Sequence, residues 1–288
     1  MQKLFVHNTL AFARGGLIGC IVPGEEFHLA DGHRPLACQF ATIEGITTLY
    51  AASGIIEANG TKELTLYGGR YNAAKRVFGS AGHLQSSDYA VSAPDVRHGI
   101  TSIALRDYEI SCNYDALGVG LGGLLLTGDE DTPISNGPLL LADNGPVWAS
   151  VRGVAQLPGN DSGVLTSQVR VFGGLSTIEL TIDIAAHTCE LALALPGVVA
   201  DSTQNRSLPG NLANEMATFV LSTSEAVCWA AVKSRAIPTV AAECVSIALP
   251  QGETRLFLRV LPRNEHNDAA FTRWCEAEQT PLVVTTAV

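Results

Sequence analysis

The sequence predicts an all-β fold, an antiparallel β-sandwich or jelly-roll-like arrangement with one short helix near the C-terminus. Three observations predict it. Apolar residues recur at period two over short segments, Gly, Asn, Asp and Pro turn signals separate those segments, and helical periodicity is nearly confined to one place.

Taken along the chain, "EEFHLADGHRP" comes first. Its Asp31-Gly32 pair predicts a two-residue hairpin with Ala30 opposite His33 and His28 opposite Pro35. "ATIEGITTLYAASGII" is β-branched, "ELTLY" alternates Leu64 and Leu66, and "DYEISCNYD" alternates through Tyr108, Ile110, Cys112 and Tyr114. "SQVRVFG" is a further short β-branched run. "STIELTIDI" places Ile178, Leu180, Ile182 and Ile184 on one face and Thr177, Glu179, Thr181 and Asp183 on the other, the pattern of a half-buried strand. "CELALAL" repeats it with Cys189, Leu191, Leu193 and Leu195, and the short "AAHT" between the two predicts an antiparallel hairpin. "MATFVLST" reads both as a strand and as part of a weak helix over 211–222, while "TRLFLRVL" sets Leu256, Leu258 and Val260 against Arg255, Phe257 and Arg259. The one good helix is "NDAAFTRWCEAEQ": Asn267 or Asp268 caps it, Phe271, Trp274 and Cys275 share a face, and Pro281 stops it.

The polar stretch "VVADSTQNRSLPGN", residues 198–211, is the best boundary or long loop. It separates a main β domain, 1–197, from a C-terminal β segment, 211–288, that carries the helix at about 267–279 and can belong to the same domain. "RVFG" and "SIAL" each occur twice, but at spacings that disagree, so no repeat array is predicted.

Composition excludes several classes. The 288 residues are 47% hydrophobic and only 16% charged, against roughly a quarter charged in ordinary soluble domains, so much of the surface is uncharged or covered by other subunits. A net charge of -10 without a Lys/Arg cluster argues against direct nucleic-acid binding. No apolar run approaches the roughly 20 residues of a membrane helix, and "LIGC" at Leu17–Cys20 lacks the continuous apolar run that a lipoprotein signal needs. Seven scattered cysteines without a C-x-x-C pair read as buried, reduced thiols of a cytoplasmic chain.

Gly118 to Gly123 match G-x-G-x-x-G, with Asp143 twenty residues further on. A dinucleotide site needs an apolar strand before the glycines and a helix after them, whereas here an amphipathic strand precedes and the turn-rich "LLLTGDEDTPISNGP" follows. The glycines read instead as a close approach of two backbones, and no cofactor is expected. Glu25, Glu26, His28, Asp31 and His33 hold the chemistry of metal ligands, with His28, Asp31 and His33 the best metal set although the hairpin register does not favour it. Asp129-Glu130-Asp131 lacks the alternate-position oxygens of a calcium loop. His7, His83, His98, His187 and His266 stand in no catalytic motif.

Two functions fit these observations. The first is a structural subunit of a self-assembling particle, a viral or phage capsid, tail or surface protein, made in the cytoplasm and partnered by its own copies or by other particle proteins. The alternative is a cytoplasmic β-sandwich or β-barrel enzyme or binding protein acting on a small polar substrate such as a carbohydrate, centred on the His28–His33 hairpin.

Overall fold

The computed structural model describes residues 2–106, 110–113, 121–127, 136–157, 163–185, 190–196, 198–199, 216–222, 226–233, 238–241 and 244–286. The first seven strands are β1 (Gln2–His7), β2 (Leu17–Val22), β3 (Phe27–Asp31), β4 (Arg34–Pro35), β5 (Cys38–Ile43), β6 (Ile46–Ala52) and β7 (Thr61–Gly68). Next come β8 (Phe78–Ser80), β9 (His83–Gln85), β10 (Tyr89–Ser92), β11 (Ser102–Leu105), β12 (Ile110–Asn113), β13 (Gly123–Thr127), β14 (Leu140–Asn144), β15 (Trp148–Gln156) and β16 (Val164–Phe172). The remainder are β17 (Ile178–Ile184), β18 (Glu190–Pro196), β19 (Val198–Val199), β20 (Met216–Ser222), β21 (Ala226–Lys233), β22 (Pro238–Ala241), β23 (Cys244–Ala248), β24 (Gly252–Pro262), helix α1 (Asp268–Gln279) and β25 (Val283–Thr286). The fold is all-β and its strand pairs are antiparallel, as the period-two pattern predicts.

The first seven strands and β25 form two small sheets, in the orders β25-β1-β7-β3-β4 and β2-β6-β5. Their apolar faces enclose one core: Leu4, Val6, Leu29, Leu64 and Leu66 from the first, Ile18, Val22, Leu49 and Ala51 from the second. The turn between β5 and β6 places Glu44 at φ +50° and Gly45 at φ +80°, the two positive values that a tight hairpin twisting with its strands requires.

The larger body is a two-layer sandwich. One layer is an eight-stranded sheet, β14-β15-β16-β17-β24-β21-β20-β19; the other consists of two sheets, β12-β11-β10-β9-β8 and β13-β18-β23-β22. Val151, Val169, Leu180, Leu256 and Leu258 of the first layer meet Leu84, Val91, Ile103, Leu193 and Ile247 of the second in one core. Ile178, Leu180, Ile182 and Ile184 are all at most 2% exposed, so the predicted face of β17 is the core face. The eight-stranded sheet takes strands from both sides of residues 198–211, so the two predicted segments share it.

One pairing differs from expectation. β17 and β18 do not form a hairpin: β17 pairs with β16 and β24, while β18 pairs with β13 and β23. Each has an apolar face to bury, and setting the strands in opposite layers lets those faces meet across the core.

The outer face of the eight-stranded sheet is covered at two places. Helix α1 seats Phe271, Trp274 and Cys275 against Met216, Val220, Val227, Trp229 and Leu261, and Asn267 caps it by accepting a hydrogen bond from the Ala270 N–H at 3.1 Å. Elsewhere Leu17, Ala41 and Tyr50 of the N-terminal sheets, with Ala37 from the link before β5, pack on Val147, Trp148 and Phe172. Among the described residues, no helix is long and apolar enough to cross a membrane.

Gly118, Val119 and Gly120 lie outside the described residues. Gly123 opens strand β13, where a dinucleotide site would need a helix. The close-approach reading applies to Gly122: it takes φ +72°, its N–H donates to Ala194 O at 2.8 Å, and a Cβ on Gly99 would sit 2.8 Å from its carbonyl oxygen. None of the described cysteines is joined in a disulfide; burial pushes the Cys20 thiol up to about 11 and the Cys275 thiol up to about 12.

Candidate functional site

β3, β4 and β7 carry the predicted hairpin and build a shallow hollow beside it. The hairpin register differs from the expected one, with Ala30 opposite Pro35 and Asp31 opposite Arg34, so the loop residues are Gly32 and His33. Gly32 is at φ +58°, a conformation that glycine accepts at the first loop position at little cost, whereas Asp31 stays in the strand.

On the other side of β3, His28 pairs with Tyr67 of β7. Their rings stack at 5.5 Å between centroids and 17° between planes, and Tyr71 leans on the same imidazole at 6.1 Å. His28 Nδ1 lies 2.7 Å from Gly69 O. A carbonyl only accepts, so the Nδ1 N–H is the donor, and Nε2 takes no part in this bond. The hollow, about 250 Å³, is lined by His28, Ala30, Gly32, His33, Pro35 and Tyr67. That is just under the roughly 300–1,000 Å³ of drug-sized ligand sites, so it suits one small polar molecule. Arg70 and Glu25 pair at 3.0 Å nearby on the chain, and Tyr71 is 42% exposed.

The predicted metal set is placed as follows. His28 and His33 both line the hollow, but Asp31 is held by Lys62 at 2.8 Å, and Lys62 in turn donates to Ser53 O at 3.0 Å. Among the described residues no three His, Cys, Asp or Glu side chains come together as a metal ion would need. Glu25 and Glu26 fall in the turn before β3. Asp129-Glu130-Asp131 and His187 lie outside the described residues. Asp143 belongs to β14 and accepts from the Ser150 hydroxyl at 2.5 Å. His98 contacts Asp95 at 2.8 Å in a loop turn, where the backbone and imidazole N–H groups hold the Asp95 carboxyl below its usual range against the opposing effect of burial.

Sequence reasoning missed Tyr67 and Tyr71. The signal was present in "ELTLYGGRY": Leu64 and Leu66 point inward, so Tyr67 falls in the opposite phase, toward the outside of the sheet.

Neither a protein-family model nor a curated protein sequence matches the chain. Solved structures do. An alpha-mannosidase from Enterococcus faecalis V583 superposes with a TM-score of 0.68 at 11% identity, covering 100% of this chain and 46% of the other. A protein in glycosyl hydrolase family 38, also from Enterococcus faecalis, superposes with a TM-score of 0.68 at 12% identity, covering 100% of this chain and 47% of the other. This chain therefore spans about half the length of the proteins it superposes on, and at such identity the likeness is one of fold.

These neighbours correct the expectation of a capsid or virion subunit, since they are an alpha-mannosidase and a glycosyl hydrolase family 38 protein and not particle proteins. The features that suggested a shell have an internal explanation. Low charge and abundant apolar residues supply a core between the sandwich layers, a second core in the N-terminal sheets, and the covered patches of the outer face.

Proposed function

We propose that this chain is a carbohydrate-binding β-domain, with the His28–Tyr67 hollow as the place where one sugar residue sits. The observation that carries this reading is the aromatic wall of the hollow. A pyranose presents an apolar C–H face and a polar rim. Tyr67 offers ring surface for the first, and the His28 imidazole and the exposed backbone of the Gly32–His33 turn offer hydrogen-bond partners for the second. Ala30 and Pro35 supply uncharged walls. The fold shared with alpha-mannosidase chains supports the same substrate class and makes mannosides the first ligands to try.

The test is titration with methyl α-mannoside and short α-linked manno-oligosaccharides, followed by isotope-edited NMR of the His and Tyr rings. The expected result is saturable shifts at His28 and Tyr67, with affinity falling at least about tenfold in Tyr67→Ala, equivalent to about 1.4 kcal/mol. Saccharide-induced shifts that ignore this substitution would place binding elsewhere; no shifts with any saccharide would remove the reading.

A further inference from the structure

A buried polar cluster lies where helix α1, the eight-stranded sheet and the N-terminal sheets meet. Arg14 is 7% exposed. Its Nε donates to Asn8 Oδ1 at 2.9 Å, and its Nη1 donates to Ala277 O at 3.0 Å and also to Thr280 O, the carbonyls at the C-terminal end of α1. A cation there complements the negative end of the helix. Its Nη2 has no partner among the described residues. Asn8, itself 2% exposed, ties Arg14 to the N-terminal sheets by donating to Phe12 O at 2.7 Å and Glu57 O at 2.9 Å.

One residue from that carbonyl end, the Glu278 carboxyl turns back to the sheet. The Thr177 hydroxyl donates to Glu278 Oε1 at 2.8 Å and accepts from the Trp274 indole N–H at 3.3 Å. The titratable and charged groups around it are Glu179 of β17, 7% exposed and held by Arg170 at 3.3 Å; Arg259 of β24, stacked over the Trp229 ring; Arg14; and the Cys275 thiol on α1 itself.

We propose that α1 is a proton-operated brace between the two bodies: with Glu278 protonated the helix is docked on the sheet and clamped by Arg14, and with Glu278 ionised it works loose. Burial is the largest influence on this carboxyl, and the negative Glu179 adds to it. Arg259 and the hydrogen bonds from Thr177 and Trp274 oppose them without reversing the balance, so the group is pushed up to about 7. Glu278 is partly buried, and its ionisation at neutral pH sets a negative charge beside Glu179 at the contact between helix and sheet.

Linkage gives the profile. If opening exposes Glu278 to water, the opening equilibrium rises about tenfold per pH unit between the ordinary value of 4.5 and about 7, then levels off, a total of roughly 300-fold at most. Amide hydrogen exchange of residues 268–280 in the intact chain, corrected for the intrinsic pH dependence of exchange, reads this directly, with the Glu278→Gln variant as the control. In the wild type the excess opening of α1 should rise and then level. Glu278→Gln should be flat throughout, and Glu179→Gln should make the profile level off at lower pH and with a smaller total rise, by removing the like charge. A flat wild-type profile, or one identical in Glu278→Gln, would overturn the proposal. Should Glu278→Gln fold poorly, direct NMR titration of the Glu278 carboxyl in the wild type decides the matter: a midpoint near 4.5 refutes it.

Discussion

Substituting Gly122 by alanine isolates what its place in the sandwich demands. The residue sits at φ +72°, where an L side chain costs about 1–2 kcal/mol. The added Cβ would also fall inside the van der Waals envelope of Leu180 Cδ2. Leu180 is 1% exposed and packed on all sides, so its displacement costs about a further 1–3 kcal/mol. Together these come to about 2–5 kcal/mol, or a fall in Tm of roughly 5–15 °C for a chain of this size. Gly174→Ala is the control: it has φ +87° but no atom within 4 Å of the new Cβ, so it bears only the conformational cost. Urea unfolding of both variants, followed by tryptophan fluorescence, separates the two contributions. A Leu180→Ala background supplies the cross-check, because the room it leaves accepts the new methyl and the two substitutions should couple by at least about 1 kcal/mol. Equal losses in Gly122→Ala and Gly174→Ala, or strict additivity with Leu180→Ala, would refute the packing argument.

Three other outcomes are expected. Asn267→Ala should cost about 1 kcal/mol by removing the cap on Ala270 N, and a change within a few tenths would mean that the cap is replaced. Trp229→Ala should cost about 3–5 kcal/mol, since the ring is 2% exposed and anchors Phe271 and Trp274; a loss under 1 kcal/mol would show that α1 is not seated there. Glu278→Gln should leave Tm unchanged near pH 4 and raise it at pH 8. The carboxyl binds its proton more tightly folded than unfolded, so wild-type stability is fullest in acid and falls as pH rises from 4.5 through about 7, by about 3 kcal/mol as an upper bound. Equal Tm values for both proteins across that range would show that the group is solvated when folded.

Strands with one solvated face were legible, and β17 with its isoleucine row is the clearest case. β21 escaped because "AVCWAAV" has no alternation: the sandwich core lies under one face and α1 over the other, so both phases are apolar. The helix was readable to its capping residue because its signals are local. The β17–β18 relation was misread because two amphipathic strands and a short link fit a hairpin and a crossing between layers equally well, and only the packing of distant strands decides. Of the candidate site, the hairpin half was visible in His28 and His33, whereas Asp31 of the same expected set is held by Lys62 and does not line the hollow. Tyr67 joined it through the pairing of β3 with β7, a contact that no spacing within the hairpin encodes. Glu278 gave no sign at all, since its character comes from Thr177 and Glu179, about a hundred residues earlier in the chain.

The pairing of β1 with β25 joins Leu4 to Thr286 and His7 to Val283. This ladder spans nearly the whole chain, so its closure entropy is among the largest in the molecule and it is a poor place for folding to begin. The sandwich can assemble first, with β1 waiting on β7 alone until the last strand is delivered by α1. Antiparallel register also brings residues 4 and 286 side by side. Tension applied across those two residues would therefore open the ladder one residue pair at a time, from its end inward, and not shear it as a whole.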